Sequence, residues 1–322
     1  MIRILVPLDG SALAEQALGH AFALARTFPA EITVLRVITE SESGTPMRIS
    51  SVDFALLHHQ AQTYLDGLLE RNAGIGVPIR SEVVEGRSAE TIVQFLHREK
   101  PDLVVLTRYG RGNAQDFAAG GTAYKIVSSA DCSVILVDPR TPMTPEYRYH
   151  RLLVPIDSGK DSDYAVAVAT MIAEIHGSSV LLLYVTEEPQ LPAALSSTRH
   201  AHQLANEMRR IIRREAEHRL FELAAKFPKN ITVETRMVVS ADTPFAIESA
   251  AADYDSDLIL LHTMGARPEG DYRYSSANQS LILYSHRPLF ILQPPAEEGL
   301  ASNFRSVYLD EQPCETSQES AR

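Results

Sequence analysis

A stretch rich in glycine carries the clearest chemical signal in this chain. Its four glycines precede a helix predicted over residues 122–128; they are Gly110, Gly112, Gly120 and Gly121. Glycine lets the backbone approach an anion closely, and the amides and dipole of a helix N-terminus favour phosphate. Residues 107–122 therefore fit a phosphate cradle, and a flexible loop with a glycine cap is the alternative interpretation. Neither P-loop spacing nor GxGxxG is present, so the pattern does not support a kinase or a dehydrogenase.

Two aspartates follow matching apolar runs, Asp9 in LVPLDG and Asp157 in LVPIDSG. Asp before Gly or Ser suits the turn from a strand into a helix. On the residues alone, both aspartates are interpreted as turn residues.

The chain contains the same unit twice. IRILVPLDG (2–10) returns as HRLLVPIDSG (150–159), and PDLVVLTRYG (101–110) returns as SDLILLHTMG (256–265). Asp9 and Asp157 are 148 residues apart, whereas Val84 and Val239, like Gly110 and Gly265, are 155 apart. The second copy therefore carries about two extra helical turns in its middle. Such a repeat predicts two tandem domains.

Each copy alternates short apolar runs with segments of helical spacing, beginning with a strand at residues 2–6 and a helix at 11–27. Strands that alternate with helices predict a parallel sheet with right-handed crossovers, and therefore a doubly wound α/β fold. Ligands of such sheets bind at the carboxyl ends of the strands, where the winding reverses. We expect domains at residues 1–139 and 150–295, a proline-containing linker at 140–149, and an acidic, disordered tail at 296–322.

Composition excludes several classes of protein. The 322 residues carry a formal net charge of −11, which is spread over both copies and the tail and argues against duplex DNA as a partner. No apolar run is long enough for a membrane span, and the first residues do not resemble a signal peptide. We therefore expect a soluble, cytoplasmic protein without direct nucleic-acid binding.

One predicted helix, over residues 199–227, is strongly basic. Besides Arg199 at its start, it contains a cluster of Arg209, Arg210, Arg213, Arg214 and Arg219. Interleaved glutamates favour an outer face with salt bridges, and a nucleic-acid or lipid site is the alternative.

The motifs, taken in order, resemble the universal stress protein family. The first copy contains LVPLDGS, VVEGRSAETIVQF, PDLVVLTRYGRGNAQDFAAGGTAYKIV and CSVILV, and the second copy matches in the same order. The resemblance implies five parallel strands per copy, in the order 3-2-1-4-5, with helices on both faces. It also implies a GxxG motif, nine residues, and then Gly followed by Ser or Thr, which together wrap ATP phosphates. An Asp after the first strand and backbone after the second strand would hold the adenosine.

In the first copy the resemblance places the cofactor-binding residues at Pro7, Leu8, Asp9, Val37, Leu106, Thr107, Gly110, Gly120, Gly121 and Thr122. Thr107 stands at the first glycine position. Gly121 stands at the Ser/Thr position, and Thr122 follows one place late.

In the second copy the corresponding residues fit less well. They are Asp157, Val185, Gly265, Ser275 and Ser276. Ser275 replaces a glycine, and His262 puts a bulky side chain where backbone should meet phosphate. We therefore expect nucleotide to be held mainly by the first copy.

The resemblance implies a protein that binds ATP or another adenine nucleotide, with Mg as an accompanying ion, in a stress or signalling response. A nucleotide-free scaffold for protein partners and a slow ATPase are the alternatives. Because family members often pair through the fifth strand, we also predict that the two fifth strands pair within one chain as a pseudo-dimer. A homodimer would then use helical faces.

Overall fold

Strands and helices alternate along both copies in the computed structural model, which describes residues 1–39, 51–110, 121–139, 147–157, 162–188, 199–263 and 274–293. The first copy contains β1 (Ile2–Leu8), α1 (Ala12–Thr27), β2 (Ala30–Ile38), α2 (Ser51–Asn72), β3 (Ile79–Glu85), α3 (Ser88–Glu99), β4 (Leu103–Thr107), α4 (Thr122–Ser129) and β5 (Ser133–Val137). The second contains β6 (Arg151–Ile156), α5 (Ser162–His176), β7 (Ser179–Thr186), α6 (Arg199–Ala224), β8 (Val233–Val239), α7 (Thr243–Asp253), β9 (Leu258–His262), α8 (Ser276–Tyr284) and β10 (Leu289–Leu292).

All ten strands form one sheet in the order β3-β2-β1-β4-β5-β10-β9-β6-β7-β8. Within each copy the neighbouring strands are parallel and follow the predicted order 3-2-1-4-5. The copies join through β5 and β10, which are antiparallel, with Phe290 opposite Ile135. The prediction that the two fifth strands pair within one chain is confirmed. We call this β5–β10 junction the seam.

The strands read as continuous apolar runs because helices cover both faces of the sheet. Consecutive residues of β1 point to opposite faces, so that Ile4 and Val6 belong to one core and Leu5 to the other. Every residue of β4 and β5 is buried. None of the helices that the structure describes combines the length and hydrophobicity of a membrane span.

Helix boundaries follow local chemistry. The side chain of Ser11 caps α1 by accepting a hydrogen bond from the amide of Ala14 at 3.1 Å. Helix α6 ends at Ala224 and not at Phe227. The amides of Lys226 and Phe227 bond to carbonyls only three residues back, a tightening common at helix ends.

A buried polar cluster also joins the two copies, where α1 meets the chain before β6. The hydroxyl of Tyr149 lies 2.7 Å from Nδ1 of His20. The amide of Tyr149 donates to Nδ1 of His176 at 3.2 Å, and Nε2 of His176 lies 3.1 Å from the carbonyl oxygen of Ala23. His176 is therefore neutral with its proton on Nε2. Burial lowers the pKa of His20 to about 3 and that of His176 to about 4.

Candidate functional site

The candidate site of the first copy lies where the winding of the sheet reverses. Strand β1 is flanked by β2 on one side and β4 on the other, and all three run in the same direction. Their carboxyl ends therefore meet at one edge. Leu8 at the end of β1 stands opposite Arg36, so that Asp9, Val37 and the loop after β4 are neighbours. The structure thus brings together residues that lie far apart in the sequence.

Asp9 and Gly110 are in direct contact across this edge. A Cβ atom at residue 110 would lie 2.0 Å from Oδ2 of Asp9, so no side chain fits there without moving the carboxylate. The other oxygen, Oδ1, accepts a hydrogen bond from the amide of Ser11 at 2.8 Å. Gly10, between them, has φ of 82°, a conformation that favours glycine. The turn after β1 therefore aims the Asp9 carboxylate at bare backbone.

The loop after β4 is fixed at its beginning. Leu106 and Thr107 are buried, and the Thr107 hydroxyl donates to the carbonyl oxygen of Tyr109 at 2.8 Å. The amide of Arg108 donates to the carbonyl oxygen of Val137 at 2.7 Å. Gly112 and Gly120 lie outside the described residues.

The loop ends at the N-terminus of α4. Gly121 is the N-cap, with extended backbone, and as a glycine it supplies no side-chain hydrogen bond to the amides of the first turn. Thr122 is exposed at the first helical position. The amides at a helix start, together with the helix dipole, attract anions.

The end of β2 holds an arginine that the sequence reasoning missed. Arg36 is 7% exposed, and its Nη1 donates to the carbonyl oxygen of Val37 at 2.7 Å. That carbonyl retains a second lone pair. Of the two predicted residues at the end of β1, Pro7 is half-buried and Leu8 is buried. An arginine inside the apolar run ITVLRVI was the available signal.

The matching place in the second copy is filled by a side chain. Nε2 of His262 lies 2.9 Å from Oδ2 of Asp157, and the hydroxyl of Ser162 donates to Oδ1 of the same carboxylate at 2.9 Å. The His262 side chain is only 13% exposed. From the resemblance, this imidazole was expected where backbone would meet phosphate; in the structure it contacts the carboxylate of Asp157.

Helix α8 begins with a closed cap. The Ser275 hydroxyl accepts from the amide of Asn278 at 3.2 Å, and the side-chain amide of Asn278 donates to the His262 carbonyl at 3.1 Å. Ser275 and Ser276 are exposed, Val185 is half-buried, and Gly265 lies outside the described residues. One amide of this helix start is thus already bonded to the side chain of its N-cap, whereas the N-cap of α4, Gly121, has no side chain.

Two contacts tie the first loop to the second copy. The Arg108 guanidinium donates to the carbonyl oxygen of Ile282 on α8. The Tyr274 hydroxyl donates to the carbonyl of Val127 on α4 at 2.8 Å. Sequence patterns gave no signal for either contact, because both depend on the seam.

Within the described part of the chain, no three His, Cys, Asp or Glu side chains gather as they would around a metal ion. A magnesium ion at the first site would therefore depend on ligand oxygens as well as on protein ones.

Comparison with known proteins identifies the repeated unit. The model of the universal stress protein family matches residues 1–138 and again residues 148–293. A universal stress protein of Methanocaldococcus jannaschii is 31% identical over 137 residues, which cover 42% of this chain and 81% of that protein.

Solved structures match over nearly the whole chain. A universal stress protein of Archaeoglobus fulgidus has a TM-score of 0.64 at 17% identity and covers 92% of this chain and 97% of its own. A putative universal stress protein of Pseudomonas aeruginosa has a TM-score of 0.65 at 13% identity, with 91% and 93% covered. At these identities the likeness concerns the fold, here that of both copies together.

Proposed function

We propose that this chain, which belongs to the universal stress protein family, binds an adenine nucleotide at the carboxyl edge of its first copy. The observation that carries the proposal is the contact between the Asp9 carboxylate and Gly110, where a Cβ atom would lie 2.0 Å from Oδ2. The carboxylate can accept hydrogen bonds from hydroxyl groups, and backbone without a side chain lets phosphate approach closely. The contact therefore fits a ligand that carries both groups.

The phosphates would lie against the loop after β4. Gly110 offers its backbone without a side chain, and Gly121 leaves the first amides of α4 without a side-chain cap. Phosphate bound there gains hydrogen bonds from amides and the favourable field of the helix dipole. Magnesium that accompanies phosphates would take most of its ligands from the phosphates and from water.

The adenosine would lie between the ends of β1 and β2. Asp9 is partly exposed, and a carboxylate accepts hydrogen bonds from hydroxyl groups such as those of ribose. The Val37 carbonyl lies next to it along the edge and can accept a second hydrogen bond beside that from Arg36. Binding at this edge would serve a stress or signalling response.

Thermal unfolding with and without ATP tests the proposal. ATP at about 100 times its dissociation constant should stabilise the protein by about 2.7 kcal/mol. Gly110→Val should abolish this stabilisation, because the new side chain occupies the space beside Asp9. Gly74→Val is the matched control, since no heavy atom lies within 4 Å of the Cβ it would add.

An ATP-induced shift that survives in Gly110→Val would show that the nucleotide binds elsewhere. No shift in the parent protein would favour a nucleotide-free scaffold. Acid extraction of the purified protein, followed by chromatography, would show any nucleotide carried through purification.

A further inference from the structure

A second concave site lies at the outer end of the sheet in the second copy. It has a volume of about 180 Å³, more than the roughly 150 Å³ that suffices for a benzene-sized guest. It lies where the carboxyl ends of β7 and β8 meet α6, and its lining residues are Thr186, Glu187, Glu188, Arg209, Arg210, Ile212, Arg213, Met237 and Val239. We call it the α6 cleft. Asp157, Val185, Ser275 and Ser276 are not among its lining residues.

The α6 cleft combines apolar walls with positive charge. Ile212, Met237 and Val239 supply the apolar part, and Val239 is 49% exposed. Three guanidinium groups and two carboxylates line it, so its lining is net positive in a chain whose formal net charge is −11. Binding sites for small molecules commonly pair apolar walls with a few charged groups that fix orientation.

Two of the three arginines are available to a ligand. Arg209 is paired with Glu188 at 2.8 Å. Arg210 and Arg213 are exposed and form no ion pair with the residues that the structure describes. They lie three residues apart on α6 and thus share one side of the helix. A planar guanidinium can bind a carboxylate or sulfonate through two parallel hydrogen bonds.

The fold itself does not require these arginines. The first copy has the same strands and helix, and the residues of α2 that lie 155 positions earlier are Ala55 for Arg210 and His58 for Arg213. On the strand, the register makes Val83 the counterpart of Met237. The two copies therefore share a scaffold but differ at this place. Neither Arg210 nor Arg213 therefore has an arginine or lysine counterpart on α2.

We infer that the α6 cleft binds an amphipathic monoanion, a carboxylate or sulfonate attached to an apolar body. The acid group pairs with Arg210 and Arg213, and the apolar body lies against Ile212, Met237 and Val239. This site is separate from the proposed nucleotide site, which belongs to the other copy and to a different pair of strands.

Fluorescence titration of the full chain with anilinonaphthalene sulfonate, followed by competition, tests the inference. The dye should bind and be displaced by octanoate, and neither octylammonium nor ATP should displace it. The double variant Arg210→Ala/Arg213→Ala should bind about tenfold more weakly or worse, as expected for the loss of charge-assisted hydrogen bonds. Arg214→Ala, on the same helix but outside the cleft, should bind like the parent.

A second variant tests the site without removing the arginines. Val239→Glu leaves the arginines in place but adds a carboxylate to an exposed wall position, and it should also weaken dye binding. Melting curves without dye establish that each variant is folded.

Failure of the dye to bind the parent, equal binding by the double variant, or displacement by octylammonium would overturn the inference. Displacement by ATP would assign the dye to a nucleotide site and would overturn it as well.

Discussion

Nε2 of His262 lies 2.9 Å from Oδ2 of Asp157, whereas the corresponding aspartate of the first copy, Asp9, faces the bare backbone of Gly110. The carboxylate after the first strand thus contacts an imidazole in the second copy and glycine backbone in the first. Ser162 engages the remaining Asp157 oxygen. The second carboxylate therefore has protein partners for both oxygens.

This asymmetry predicts the number of nucleotides bound. Titration calorimetry with ATP should give about one site per chain, because a ligand in the second copy would first have to displace His262 from Asp157. Asp9→Ala should weaken that site, while Asp157→Ala should leave its affinity unchanged. Two sites of equal affinity in the parent would contradict the asymmetry.

The buried histidines predict a loss of stability in acid. Burial holds the pKa of His20 at about 3 and that of His176 at about 4, but in the unfolded chain both titrate near 6.5. Between those values the unfolded state binds more protons, so the free energy of unfolding falls as pH falls from about 6.5 towards 4. Each histidine contributes a slope of up to about 1.4 kcal/mol per pH unit.

Urea unfolding at pH 7, 6 and 5 measures this slope. His176→Gln should reduce it, and His59→Gln, at an exposed position, should not. An unchanged slope in His176→Gln would show that other groups cause the acid sensitivity.

The contact between Tyr149 and His20 predicts that removing the Tyr149 hydroxyl destabilises the protein at the junction of the copies. Tyr149→Phe leaves the buried Nδ1 of His20 without its hydroxyl partner, which should lower the free energy of unfolding by about 1–3 kcal/mol. Tyr284→Phe is the matched control, because Tyr284 is 73% exposed and its loss of a hydroxyl should change stability by less than about 0.5 kcal/mol. Chemical denaturation that gives both variants the same stability would rule out a role for the hydroxyl.

The seam predicts that the copies stay together after the chain is cut. Val134–Leu136 and Leu289–Ile291 are buried residues that face each other across the two copies, and an apolar strand edge left open would associate again. A protease site placed between residues 141 and 145 should therefore yield halves that sediment as one particle. Ile135→Lys should separate them, since it places a charge opposite Phe290. Halves of the parent that are folded and strictly monomeric would contradict this.

Local apolar runs located the strands, whereas the strand order and the pairing of the two fifth strands were predicted from the resemblance to the family. The need to cover an exposed apolar edge supported that pairing. The candidate site was predicted less completely. Asp9, Val37 and Gly110 do share one edge, yet sequence patterns did not indicate that Arg36 would bond to Val37, Arg108 to Ile282, or His262 to Asp157. Each of these contacts depends on side chains that meet only after the strands are arranged.

The arginines of α6 show the same limit. Their interleaved glutamates suggested salt bridges along one helix, but Arg209 pairs with Glu188 near the end of β7 and Arg219 with Asp163 on α5. Helical spacing identifies neighbours on the same helix. It carries no information about which other elements pack beside that helix.

The seam has a consequence for how the two halves can change over time. In a symmetric dimer of identical chains, one gene encodes both partners, so every substitution appears twice. Here a continuous chain supplies both sides of the seam, and each side is encoded separately. A mutation can therefore remove a ligand site from one half while the other half keeps its own, and the removal leaves the partner surface intact. The tandem gene therefore allows one half to acquire a different ligand specificity while the two halves stay paired.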